Sequence, residues 1–248
     1  MLTLTLTLTL AAFATAVLSA TLGMAGGLVL MGAFAAILPV PDAMVMHGLT
    51  QLVANGGRAI TLRSHLDRPA LGAYAVGALV AAILARQISL APPVWLVYLG
   101  LGLVPFVALS LPRSRWLDAG TPYGAGAAGL LVVGTQSIFG VAGPLLDTFF
   151  QSGRLDRFGV VATKAATQAL SHLLKVALFL PLVVGMDRLL TPALACMGAA
   201  VVGTQVGTRL LARLPEADFR LWTRRVVLLI GGGYFVAGVI AARAAFAA

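Results

Sequence analysis

Apolar runs dominate this chain, and they are interrupted at two matching places. Long apolar segments fall at about 1–22, 41–62, 69–88, 91–111, 121–140, 158–182, 189–211 and 221–246. A helix needs about 20 such residues to cross a hydrocarbon core of about 30 Å. Two shorter segments, at about 24–38 and 143–152, each follow a glycine break. Segments of that length do not cross unless part of the path is irregular and lined by protein. The pattern predicts, in each half, a long helix, a glycine break, a short segment and then three long helices. The join falls near 112–120, where Pro112, Arg113, Arg115, Asp118 and Gly120 mark a loop.

The two breaks belong to an internal repeat. Gly23-Met24-Ala25-Gly26-Gly27 precedes Thr50-Gln51, and Gly140-Val141-Ala142-Gly143-Pro144 precedes Thr167-Gln168. One offset of 117 residues superimposes both pairs without a gap, and it carries His47 onto Lys164, Asn55 onto His172 and Arg58 onto Lys175. An odd number of segments per half inverts the second half relative to the first. Inverted repeats with short, glycine-interrupted segments at matching positions point to a binding site near the bilayer midplane. The predicted fold is an all-α integral membrane protein. Its two inverted repeats, 1–118 and 119–248, form one membrane domain with about eight long transmembrane helices and two short or discontinuous segments.

Composition strengthens the membrane reading. Only 10% of residues are charged and mean hydropathy is +0.98, whereas a soluble domain has about a quarter charged residues. The alternating pattern of an outer-membrane barrel is missing. The net charge of +9 sits mainly between apolar runs, which suits cytoplasmic loops and not a nucleic-acid surface. If both short segments cross, Arg63, Arg68, Arg113, Arg115, Arg154, Arg157 and the cluster from Arg209 to Arg225 share one face. Arg86, Arg188 and Arg243 then lie on the other. If the short segments re-enter, the arginines split almost evenly. The positive-inside rule favours the crossing topology, with the N-terminus outside. The opening Leu-Thr alternation lacks the basic residues of a signal peptide. It reads as a first membrane helix whose threonine hydroxyls bond back to helix carbonyls. Cys196, a lone cysteine in an apolar run, reads as a packing residue.

Two of the helices carry polar stripes. Successive helical residues rotate by about 100°, so His47, Thr50, Gln51, Asn55 and Arg58 share one arc of about 140°. Lys164, Thr167, Gln168, Ser171, His172 and Lys175 share the equivalent arc. Val45, Leu52, Leu170 and Val176 lie opposite. Such a stripe must face protein or water, because lipid offers no hydrogen bonds. Lys164 and Lys175 are the chain's only lysines, and both lie on one stripe. A lysine at the bilayer centre costs roughly 2.5–3.5 kcal/mol on insertion scales, so each needs a function or a route to the interface. For Arg58 and Lys175, snorkelling to the interface competes with a role in binding. His172 could be a cross-helix packing residue, an anion ligand or a proton carrier. His65, between Arg63 and Arg68, reads as a solvated loop residue.

The glycine breaks let backbone N–H groups turn toward a ligand. Short helices starting at Gly26-Gly27 and Gly143-Pro144 would point their positive dipole ends inward, and Pro144 suits a first turn. The two starts would form an anion cradle. Thr135, Gln136 and Ser137, and likewise Thr204, Gln205 and Thr208, read first as ties between helices. No GxxxxGK[ST], HExxH or GxSxG pattern occurs. Ser171 and His172 are adjacent and point apart, a poor nucleophile and base. The chain reads as a non-enzyme without cofactor or metal.

These residues carry a family resemblance. The glycine-rich break after the first helix, followed by a helix of small and polar residues leading to a basic loop, occurs in both halves. It resembles the sulfite exporter TauE/SafE family of membrane permeases, over about 20–85 and 137–212. By resemblance, Gly23, Gly26, Gly27, Gly140 and Gly143 match the family's glycine motifs, and Thr50-Gln51 and Thr167-Gln168 occupy the following helix. Ala25, Ala142 and Pro144 depart from the family's consecutive glycines. The resemblance implies a multi-pass transporter of the bacterial inner membrane for sulfite, sulfonates or similar anions.

The expected function is a secondary permease for small sulfur-containing anions, with alternating access to a midplane site. Gly26, Gly27, Thr50, Gln51, Asn55, Gly143, Pro144, Lys164, Thr167, Gln168, Ser171, His172 and Lys175 are the expected substrate ligands. His47, Asp147 and His172 are the candidates for proton coupling. The partners are the anion and the bilayer, without nucleic acid; the oligomeric state is not legible. An anion channel, or a transporter of another oxyanion or small carboxylate, is the nearest alternative. An intramembrane enzyme or a structural subunit stands further off.

Overall fold

A computed structural model describes residues 2–22, 25–88, 92–112, 117–151, 155–211 and 216–247. Gly23 and Met24 of the first motif, and Arg113, Arg115, Arg154 and Arg213 of the basic loops, lie outside them. The described residues form ten α-helices and no strands. They are α1 (Leu2–Leu22), α2 (Ala25–Ile37), α3 (Val40–Thr61), α4 (Arg68–Gln87) and α5 (Val94–Ser110), then α6 (Pro122–Phe139), α7 (Gly143–Phe149), α8 (Arg157–Phe179), α9 (Asp187–Leu211) and α10 (Glu216–Ala247).

Local chemistry explains the boundaries. Asp67, Thr121 and Asp156 cap α4, α6 and α8 by accepting from the backbone N–H of Ala70, Gly124 and Gly159. Proline occupies the first turn of α3, α4, α6 and α7, where a missing N–H costs nothing. Gly140 ends α6 at φ 82°, a left-handed conformation that favours glycine. In α1 the hydroxyls of Thr7, Thr9, Thr15 and Thr21 donate to carbonyls one turn back. The Leu-Thr alternation is therefore helical, as back-bonding predicts.

Among the described residues, five helical stretches are long and apolar enough to cross a membrane: Leu2–Thr21, Arg68–Gln87, Arg157–Leu182, Asp187–Leu210 and Arg225–Ala247. That is fewer than the expected eight. Val94–Ser110 is a shorter apolar helix, α3 is diluted by its polar stripe, and α6 by its glycines. Apolar side chains such as Val76, Ile83, Val236 and Ile240 stay exposed, as a lipid-facing surface requires.

The helices associate in pairs. α1 packs along α9, α4 along α6, α5 along α10 and α3 along α8. Exchanging the first five helices for the last five turns the α1–α9 pair into the α6–α4 pair, and maps the other two pairs onto themselves. Small residues bring backbones together. Gly129 lies against the Tyr74 carbonyl in the α4–α6 pair, and Gly203 against the Phe13 carbonyl in the α1–α9 pair. α3 and α8 run antiparallel. His65 just beyond α3 stacks on Phe158 at the start of α8 (centroids 5.1 Å apart), while His47 near the start of α3 meets Lys175 near the end of α8. His65 is thus a packed residue as well as an exposed one.

Candidate functional site

The antiparallel α3–α8 pair turns its two stripes toward each other. Gly48 allows the close approach: a Cβ there would stand 2.6 Å from Val176 and 3.3 Å from the His172 carbonyl. The stripes wall a cavity of about 180 Å³, completed by α1, α6, α9 and the starts of α2 and α7. Drug-sized pockets begin near 300 Å³, so this space suits a small ion. Of the expected site residues, it brings together Gly27, His47, Thr50, Gln51, Asn55, Gly143, Pro144, Lys164, Gln168, Ser171 and His172.

The cavity has a sealed end and an open end. At the sealed end His47, His172 and Lys175 are buried, with the two imidazoles edge to face at 5.4 Å. His47 Nε2 is 3.1 Å from the Gly27 carbonyl, an acceptor, so this nitrogen carries the proton. Nδ1 is then an acceptor, and Lys175 Nζ donates to it at 2.6 Å and to the Gly140 carbonyl at 2.9 Å. One relay of hydrogen bonds therefore joins the two glycine breaks through one side chain from each stripe. Here the breaks turn carbonyls toward basic groups, where an N–H cradle for the anion was expected.

Along the middle, most hydroxyl protons are occupied. Thr50 donates to Met46 O, Thr167 to Lys164 O and Ser171 to Thr167 O. Because the Ser171 proton is in use, Tyr74 donates to Ser171 Oγ at 2.6 Å. Gln136, expected to tie helices, does so by donating to Ser171 O at 2.8 Å, and also lines the cavity. Asn55 Nδ2 donates to Gln51 O and reaches Gln51 Oε1 at 3.4 Å. That leaves the Gln51 amide N–H groups facing the Gly27 side. Gln168 lines the cavity without a hydrogen-bond partner among the described residues, and buried His172 Nδ1 has none either.

At the open end Lys164 forms an ion pair with Asp147 of α7, with 28% of its side chain exposed. Half-buried Arg58 lines the same cavity. No carboxylate of the described residues pairs with it.

The structure therefore redistributes the expected ligands. Gly26 is a packing glycine against α1, where a Cβ would run into the Thr15 carbonyl and Ser19. Thr167 is buried behind the wall, Lys175 is tied to His47 and Gly140, and Asp147 stands on Lys164. Arg58, Gln136, Thr204 and Ser19 join the lining. For Arg58 a signal existed in the sequence: the repeat offset pairs it with a lysine on the other stripe.

The amino-acid sequence of this membrane bundle matches the family model of the sulfite exporter TauE/SafE over residues 8–234. The chain belongs to the sulfite exporter TauE/SafE family. TauE/SafE proteins are membrane permeases of sulfur-containing anions and not enzymes. The chain is accordingly a multi-pass membrane transport protein. Comparison with curated proteins and with solved structures gave no match.

Proposed function

We propose that this TauE/SafE protein is a secondary transporter that carries small sulfur oxyanions or sulfonates across a bacterial inner membrane. The anion binds in the cavity between α3 and α8. The observation that carries this reading is the cavity itself: in an otherwise apolar bundle it gathers Arg58, Lys164, Gln51, Gln168 and His172. Amide and cationic donors gathered inside an apolar bundle suit a small anion. The symmetric helix pairing supports two inverted repeats, 1–118 and 119–248, and rocking of one against the other would expose the site alternately. The open end lies toward Arg63, Arg68 and Arg157, the face that the positive-inside rule makes cytoplasmic.

The test is thermal stabilisation of the purified protein in detergent by sulfite, sulfonates, sulfate and small carboxylates. A ligand at one hundred times its Kd adds about 2.7 kcal/mol to apparent stability. A selective rise in Tm with sulfur anions is expected. Gln168→Ala should weaken binding about five- to tenfold by removing a neutral donor. Lys164→Ala should weaken it more, because it also strands the Asp147 carboxylate beside the anion. Unchanged affinity in both variants would show that the stripe serves packing and the anion binds elsewhere.

A further inference from the structure

The two ends of the α3–α8 crossing are related by the repeat, yet they are built differently. Adding the repeat offset to His47 gives Lys164, and subtracting it from Lys175 gives Arg58. The buried His47–Lys175 contact thus corresponds to Lys164 and Arg58 at the open end. At the sealed end His47 Nε2 and Lys175 Nζ both reach acceptors. At the open end two cations line the cavity and one carboxylate, Asp147, answers them.

That carboxylate occupies the Lys164 ammonium, which a substrate oxyanion in the cavity would otherwise use. Asp147 Oδ1 meets Lys164 Nζ and has no hydrogen-bond partner beyond that ion pair. The pair joins α7, the short helix after the second glycine break, to the stripe of α8. While it holds, Arg58 is the cation lining the cavity that has no carboxylate partner among the described residues. His172 Nδ1, toward the sealed end, is a buried polar atom without a partner, and its residue is 6% exposed. As its Nδ1–H tautomer, His172 donates without adding charge. Lys175 is not among the residues that line the cavity; its Nζ donates to His47 Nδ1 and the Gly140 carbonyl.

We infer that the cavity selects singly charged anions: Arg58 balances the charge of the anion, and Asp147, seated on Lys164, is an internal competitor that excludes doubly charged ones. This rests on the anion-transport reading and names the charge class of its substrate. A monoanion, such as a sulfonate or bisulfite, balances Arg58 and leaves the ion pair intact. A dianion, such as sulfate or the sulfite dianion, needs both cations and must displace Asp147, which leaves an unpaired carboxylate beside the bound anion.

The experiment uses full-length protein in detergent and calorimetric titration with methanesulfonate and sulfate, at one neutral pH and matched ionic strength. Both probes are fully ionised there and differ in charge. The wild type is expected to bind methanesulfonate at least about tenfold tighter than sulfate. Arg58→Gln should weaken methanesulfonate binding by about tenfold or more. Asp147→Asn should tighten sulfate binding by about tenfold or more and narrow or reverse the preference. Asp147→Ser gives the same readout should the asparagine variant fail to fold. The wild-type preference needs no variant at all. Sulfate binding as tight as methanesulfonate in the wild type, or an Asp147 variant with an unchanged ratio, overturns the inference while leaving an anion site in place. Failure of every anion to bind overturns the transport-site reading and this inference together.

Discussion

Lys175→Leu is expected to destabilise the detergent-solubilised protein by about 2–6 kcal/mol, although leucine is the more lipid-compatible side chain. Lys175 is 1% exposed, so the loss falls on its partners. His47 Nδ1 and the Gly140 carbonyl would each be left buried without a donor, at about 1–3 kcal/mol apiece. The lysine also joins α8 to α3 and to the turn after α6, so its removal loosens both glycine breaks. A double-mutant cycle with His47→Leu checks this. The two singles should be coupled, with the double variant falling short of their sum by about 0.5–3 kcal/mol. Strict additivity would show that the two side chains act independently, against the relay.

The second large effect separates two adjacent glycines. Gly26→Val should unfold or severely destabilise the protein, whereas Gly27→Ala should leave it folded and weaken anion binding. At Gly26 a Cβ would lie 2.7 Å from Ser19 N and 2.8 Å from Ser19 Cβ, and closer still to the Thr15 carbonyl. Those backbone atoms cannot swing aside, so α1 and α2 would have to part, at about 1–3 kcal/mol or more for overpacking. At Gly27 the nearest atom is the movable Gln51 Nε2 at 3.3 Å. The added methyl therefore intrudes on the cavity and not on a helix contact. Melting temperature and ligand-induced shift, measured together on both variants, decide the matter. A normally stable Gly26→Val protein would overturn the close α1–α2 packing.

The contrast shows how far the sequence could be read. Glycine spacing marks both breaks, and the structure ends α6 at Gly140 and starts α2 and α7 within the motifs. Hydropathy locates every helix, because an apolar run bounded by caps and prolines has few other ways to satisfy its backbone in lipid. The 3.6-residue period identifies the two stripes, because polar side chains inside an apolar helix must share a face. What a glycine does within its motif is not written in the motif. Gly26 and Gly27 are identical in sequence terms, and their roles differ because α1 lies against one and the cavity against the other.

The same division holds for the site. By itself, the sequence determined that His47, Gln51, Asn55 and Arg58 face one way on one helix, that Lys164, Gln168, His172 and Lys175 do so on another, and that the two sets are related by a fixed offset. These are consequences of chain geometry and need no neighbour. Only the tertiary structure decided which polar groups are used up and which are free. Lys175 is satisfied by His47 from the opposite half, Lys164 by Asp147 from a short helix, and Ser171 is engaged by Tyr74 of α4. Arg58 lines the cavity with no carboxylate partner among the described residues, and buried His172 Nδ1 is left without a hydrogen bond. Hydrogen bonds and ion pairs are short-ranged, so their partners depend on how antiparallel helices come to rest against one another, and helical periodicity carries no record of that.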